Sequence, residues 1–126
     1  MKTWTIDQSA QAPPSRQLVE AILDRIANGS LQPGDQLPSV RGLAAEVRVN
    51  HNTVARAYRE LEALGVLRGE NGRGSFLTPS STQVARRERS AATLIQFRTA
   101  LHEALRAGHP IEVLESELRQ SAKESA

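Results

Sequence analysis

The sequence predicts a mainly α fold with a small β hairpin, arranged as an N-terminal winged helix-turn-helix followed by a C-terminal two-helix dimerisation tail. Three observations point there. Within residues 15–64 apolar side chains recur in three stripes at helical spacing, and only a short turn separates the second from the third. A glycine-rich hairpin signature follows directly. After a linker come two more helical stripes, on a stretch too short to make a core by itself.

Before Pro13-Pro14, Trp4 and Ile6 alternate with polar residues, which suits a strand or an arm packed on the body. From Ser15 to Asn28, Leu18, Val19, Ile22, Leu23 and Ile26 form one stripe, and Asn28-Gly29 supplies the stop. Leu31-Gln32-Pro33-Gly34-Asp35 reads as a turn. A second, short helix starts after Pro38-Ser39, with Val40, Leu43, Ala44 and Val47 at positions i, i+3, i+4 and i+7. Val54, Ala57, Tyr58, Leu61 and Leu64 make the inward stripe of a third helix, which Gly65 closes. Between the second and third helices only Arg48, Val49 and Asn50 are left for the connection, and that is helix-turn-helix spacing.

Val66-Leu67-Arg68 and Ser75-Phe76-Leu77 read as two short strands. The stretch Gly69-Glu70-Asn71-Gly72-Arg73-Gly74 between them reads as a hairpin tip whose backbone can approach a partner closely. A helix-turn-helix followed by a hairpin is a winged helix. Beyond the linker, Leu94, Phe97, Leu101 and Leu105 recur at helical spacing until Gly108-His109-Pro110, after which Ile111, Leu114 and Leu118 mark a shorter helix. About 40 residues bury too little surface to cover these side chains. The same residues of a second chain would cover them, so a two-fold homodimer is expected. The expected organisation is a winged helix-turn-helix at 1–78, a linker at 79–82, and a two-helix dimerisation region at 83–126 with a disordered C-terminus.

The third helix opens on Asn50, His51, Asn52 and Thr53, which are mediocre helix formers. Their use is explained if this turn enters the major groove of DNA. Asn50 then caps the helix by accepting a backbone N–H, while His51, Asn52 and Thr53 project hydrogen-bonding groups. Helical geometry keeps His51, Asn52, Ala55, Arg56 and Arg59 off the core stripe, a face carrying two arginines and no acid before Glu60. An adapter for protein or RNA built on the same winged helix is the competing expectation, but it would show aliphatic side chains on that face. Double-stranded DNA is the expected partner.

Composition narrows the function further. The isoelectric point is about 9.7, yet the formal charge is only +2, so an anionic partner requires the basic groups to be gathered on one face. There is no cysteine, no apolar run near the roughly 20 residues of a membrane span, and no signal-peptide-like stretch at Met1–Ala10, so a cytoplasmic protein is expected. Only three histidines occur, at 51, 102 and 109, in no catalytic or metal-binding pattern. Neither an enzymatic activity, a metal nor a cofactor is expected.

The segment LQPGDQLPSVRGLAAEVRVNHNTVARAYRELEALGVLRGENGRGSFL resembles the winged-helix domain of the GntR family of bacterial transcription regulators. The likeness rests on its PGD–LPSVR entry, NTVARAY–L–GV third helix and GRG-S-F wing. The NTVARAY form and the short tail are similar to the YtrA-type subfamily, which implies a repressor. The resemblance also implies that Ser39 and Arg41 touch phosphate and base, that Asn50, His51, Asn52 and Thr53 with Arg56 read the major groove, and that Asn71, Gly72 and Arg73 enter the minor groove. It leaves the operator and any small-molecule effector unidentified.

There are departures from the family pattern. Gly42 stands where the family usually has the glutamate of a capping box, and Arg48 where it has a turn glycine, so strain on the order of 1 kcal/mol is expected there. His51 replaces the usual proline or arginine, and Pro14-Ser15 replaces an apolar–tyrosine pair.

Overall fold

The structure is a computed structural model that describes residues 4–125. Residues 1–3 and 126, which the expected domain bounds include, lie outside the described residues. Pro14 occupies the first turn of α1 (Pro14–Ala27), one residue before the expected start, where its missing N–H costs nothing, and Asn28 caps the end of the helix. The next two helices are α2 (Val40–Val47) and α3 (His51–Leu64). The stripes read from the sequence are the buried faces: Leu18, Val19, Ile22, Leu23 and Ile26 of α1, Leu43, Ala44 and Val47 of α2 and Val54, Ala57, Tyr58 and Leu61 of α3 share one core, with Val40 and Leu64 at the stripe ends half-buried. Each large aliphatic side chain buried in this way contributes about 1.5–3 kcal/mol.

Arg48 joins α2 to α3 in the left-handed conformation, φ 59° and ψ 49°. Among the described residues it is the only non-glycine with positive φ. The turn geometry of the family pattern is therefore kept although its glycine is not. The Val49 N–H donates to the Ala44 carbonyl at 3.1 Å, and Val49 packs on the core as a plug for the turn.

The strands are β1 (Leu67–Glu70) and β2 (Gly74–Leu77), paired antiparallel with Arg68 opposite Phe76 and Glu70 opposite Gly74. They reach closer to the tip than expected, leaving Asn71-Gly72-Arg73 as a three-residue turn, while Val66 lies outside the strand and is fully buried. The sequence reading missed a third line of pairing. Residues 34–37 run along β2, with Gln36 bridged to Phe76: Gly34 N donates to Leu77 O at 2.9 Å, Leu77 N to Asp35 O at 2.9 Å and Leu37 N to Ser75 O at 3.0 Å.

Two helices follow, α4 (Ser81–Arg106) and α5 (Ile111–Ser125), separated by Gly108 at φ +92°. The chain divides into two compact units, residues 1–90 and 91–126. The expected boundary at 79–82 is thus displaced, because α4 already begins at Ser81 and its first turns pack on the winged helix. Ser81 and Ala85 are buried there. Arg86 Nε donates to the Ala27 carbonyl at the end of α1 at 3.0 Å, and Arg89 Nε donates to Asp24 Oδ1 at 2.7 Å. These anchors are charged residues, which apolar periodicity does not register. The expected disordered C-terminus is instead helix to Ser125. No helix among the described residues is long and apolar enough to cross a membrane.

The leader is an arm and not a strand. Trp4 is buried, its backbone N–H donates to Glu46 Oε2 at 3.1 Å, and the Arg25 guanidinium lies 3.6 Å from the centre of its ring. That stacking is a cation–π contact holding the arm against α1.

Candidate nucleic-acid interface

Two helix N-termini carry the residues singled out by the sequence. Ser39 caps α2, its Oγ accepting from Gly42 N at 3.0 Å. The forward half of the cap forms without the glutamate that would return the bond. A serine hydroxyl that accepts one N–H still has its own proton to donate, so Ser39 can cap the helix and bond an anionic oxygen at once. Asn50 caps α3 with its Oδ1 accepting from Asn52 N at 2.8 Å, which leaves its amide NH2 unused by the cap. Both N-termini concentrate positive partial charge, which suits phosphate.

Arg41, Asn50, His51, Asn52 and Arg56 are exposed and Thr53 is half-buried. Among the described residues Arg41, Arg56 and Arg59 make no ion pair, whereas Arg16 is engaged by Glu60 at 2.9 Å and by Glu20 at 3.2 Å. The cations of α2 and α3 are thus left for solvent or an anion. Asn71, Gly72 and Arg73 form the exposed wing tip, with Gly72 at φ +74°. Arg73 does not extend from the tip: its Nη1 lies 3.0 Å from Glu70 Oε2, and its guanidinium sits 5.5 Å from the centre of the Phe76 ring.

The segment just before α2 ties these zones together. Gln36 Nε2 donates to the Arg73 carbonyl at the wing tip at 2.9 Å. Two residues later, the Pro38 carbonyl accepts from the Tyr58 hydroxyl of α3 at 2.7 Å, and Ser39 then caps α2. Residues 36–39 therefore bond in turn to the wing, to the third helix and to the second. Sequence reasoning missed Gln36 and Glu70. The signal available for Gln36 was a short polar–apolar alternation, with exposed Gln36 beside buried Leu37. For Glu70 it was an acid placed two and three residues from Arg68 and Arg73.

The profile of the bacterial regulatory proteins of the gntR family matches residues 14–77, the span from the start of α1 to the end of β2. The HTH-type transcriptional repressor YtrA of Bacillus subtilis is 30% identical over 115 residues, covering 91% of this chain and 88% of that protein. Among solved structures, a GntR family transcriptional regulator from Listeria monocytogenes aligns with a TM-score of 0.68 at 30% identity, over 91% of this chain and 98% of that one. YtrA from Sulfolobus acidocaldarius, a GntR-family transcription factor, aligns with a TM-score of 0.57 at 31% identity, over 76% and 95%. A winged helix with its two capped helix N-termini, a family profile spanning the whole of it, and a relative alike along nearly the full chain lead to one conclusion: this protein belongs to the GntR family of bacterial regulatory proteins.

Proposed function

We propose that the chain is a sequence-specific DNA-binding repressor that acts as a homodimer on an inverted-repeat operator. The observation that carries this reading is the pair of exposed arginines, Arg41 and Arg56, left without counter-ions beside two capped helix N-termini. An arginine whose fork is unengaged can bond the O6 and N7 atoms of guanine together, the most frequent specific contact in the major groove. Ser39, Asn50, His51, Asn52 and Thr53 supply phosphate and base contacts around them, and Asn71, Gly72 and Arg73 contact the minor groove. The repressor role is taken from the likeness to YtrA.

The dimer is supported by α4 and α5, whose apolar side chains line an open groove of about 660 Å³ that includes Phe97, Leu101, Leu105, Ile111, Leu114 and Leu118. Leu94 lies further up α4 and is exposed as well. A two-fold dimer sets two reading heads on half-sites about 34–36 Å apart, or a multiple of that.

The test is selection of bound fragments from the source genome, followed by affinity measurements on the selected duplex and a scrambled version of it. The selected sites should be inverted repeats, and Arg41→Ala should weaken binding to the selected duplex by about 1–3 kcal/mol while affecting the scrambled one less. Equal losses on both would reduce Arg41 to a phosphate contact. Failure to enrich any sequence would reject the reading.

A further inference from the structure

The wing carries an acid, Glu70, beside its two arginines. Arg68 and Glu70 alternate along β1 and so share one face, and Arg68 stands opposite Phe76. The Glu70 carboxylate bonds both wing arginines: Oε1 lies 3.2 Å from Arg68 Nη2 and Oε2 lies 3.0 Å from Arg73 Nη1. Arg73 is thereby folded back toward Phe76 instead of standing out from the tip. Its backbone is fixed at both ends, since Arg73 N donates to Glu70 O at 3.0 Å and Arg73 O accepts from Gln36 at 2.9 Å. Release of the guanidinium is consequently a side-chain event that leaves the wing in place.

We propose that Glu70 is an affinity brake on the wing, an intramolecular competitor that DNA must displace before Arg73 can engage it. This rests on the reading of the chain as a DNA-binding regulator and adds a residue that limits its affinity. The competition is between like chemistries, a carboxylate against phosphate and groove acceptors for one guanidinium. The Arg73 side chain is 72% exposed and that of Glu70 28%, so the pair is solvent-accessible, weak and readily exchanged. The sign follows from where the pair is broken. In a complex in which Arg73 has moved onto DNA, the lost Glu70 contact subtracts from affinity. Where Arg73 stays folded back, nothing is subtracted. Removing the carboxylate therefore tightens the operator complex at least as much as a random one.

The experiment uses the full chain and two duplexes: one that the wild type selects from a randomised pool, and its scrambled counterpart. Affinities of wild type, Glu70→Gln, Arg73→Ala and the double variant are measured over a range of salt concentrations. Glu70→Gln should tighten binding to the selected duplex by about twofold to fivefold for each wing engaged. It should also steepen the salt dependence by up to about one counter-ion per wing. In the Arg73→Ala background the same substitution should change affinity little, because the competed-for group is gone. Unchanged affinity on Glu70→Gln would overturn the proposal. So would an equal gain in the Arg73→Ala background, which would make Glu70 only a charge repelled by DNA. If the wild type selects no duplex, the regulator reading itself fails and the brake fails with it.

Discussion

The Tyr58 hydroxyl of α3 donates to the Pro38 carbonyl at 2.7 Å, joining the third helix to the entrance of the second. The bond sets how the cap of α2 sits relative to α3, because Pro38 immediately precedes Ser39. It also explains why a tyrosine can stand among the apolar side chains of the inward stripe: the ring is buried and its polar end has a partner.

Tyr58→Phe keeps the ring and leaves the Pro38 carbonyl without that donor, so stability should fall by about 1 kcal/mol in chemical denaturation. A pH dependence should vanish with it. Burial pushes the Tyr58 phenol above its ordinary value of 10.0. Below pH 10 both folded and unfolded chains hold the proton, and this group adds no pH dependence. Above it the unfolded chain releases the proton first, so stability should decline as pH rises, with a limiting slope of about 1.4 kcal/mol per pH unit. Tyr58 is the only tyrosine, so the phenolate absorbance of the folded protein reports on it alone. A phenol titrating near its ordinary value in the native state would contradict the account.

Arg48 holds a conformation that glycine adopts freely. The left-handed backbone costs a side-chain-bearing residue about 1–2 kcal/mol, while glycine gives back roughly 0.5–1 kcal/mol through the entropy of the unfolded chain. Arg48→Gly should therefore stabilise modestly, by about 0.5 kcal/mol, and raise the melting temperature by a few degrees. Arg48→Val should do the opposite, since β-branching makes the left-handed region worse. A valine variant as stable as the wild type would show that the turn relaxes and stores no strain.

The wing separates two glycines that look alike in the sequence. A Cβ on Gly72 meets nothing within 4 Å and only the φ of +74° opposes it, so Gly72→Ala should cost about 1 kcal/mol. A Cβ on Gly74 would lie 2.5 Å from Gln36 Nε2, at φ +116°. Gln36 must then swing away and release the Arg73 carbonyl, so Gly74→Ala should cost about 2–3 kcal/mol. Amide exchange should rise at Arg73 and along β2 while the α1 amides stay protected. Equal costs for the two variants would mean that the Gln36 clamp contributes nothing.

The parts of the fold legible in the sequence were those written as periodicity and punctuation. Leu18 to Ile26, Val40 to Val47 and Val54 to Leu61 declared their buried faces, and Gly65 its stop, because helix burial repeats every three or four residues. The cap at Asn50 was legible for a similar reason, since its chemistry is local to one turn. What stayed hidden depends on partners far along the chain. Gln36 meets Arg73 37 residues later, and Arg89 meets Asp24 65 residues earlier. Neither spacing leaves a local trace, so the third pairing line beside the hairpin and the docking of the first turns of α4 appear only in the folded chain. The folded-back position of Arg73 was hidden differently. Glu70 stands only three residues earlier in the sequence, but only the folded hairpin shows that its carboxylate holds the guanidinium back toward the Phe76 ring.

The tail gives the last prediction. Ile111 is 61% exposed, Leu118 58% and Phe97 50%, which leaves a continuous apolar surface on α4 and α5. Patches of this kind on soluble chains mark association sites, and a second copy offers the same surface with two-fold symmetry. At micromolar concentration the protein should sediment at about twice the 13.8 kDa of one chain. Leu101→Asp places a charge in the middle of the groove, and burying an unpaired carboxylate against a partner would cost several kcal/mol, so this variant should be monomeric. Its winged-helix core contains none of the groove residues and should melt as before. Binding to a full inverted repeat should then fall to the level of a single half-site, because the second reading head is no longer tethered to the first. A wild-type monomer that binds one half-site as tightly as the whole repeat would remove the tail from DNA recognition altogether.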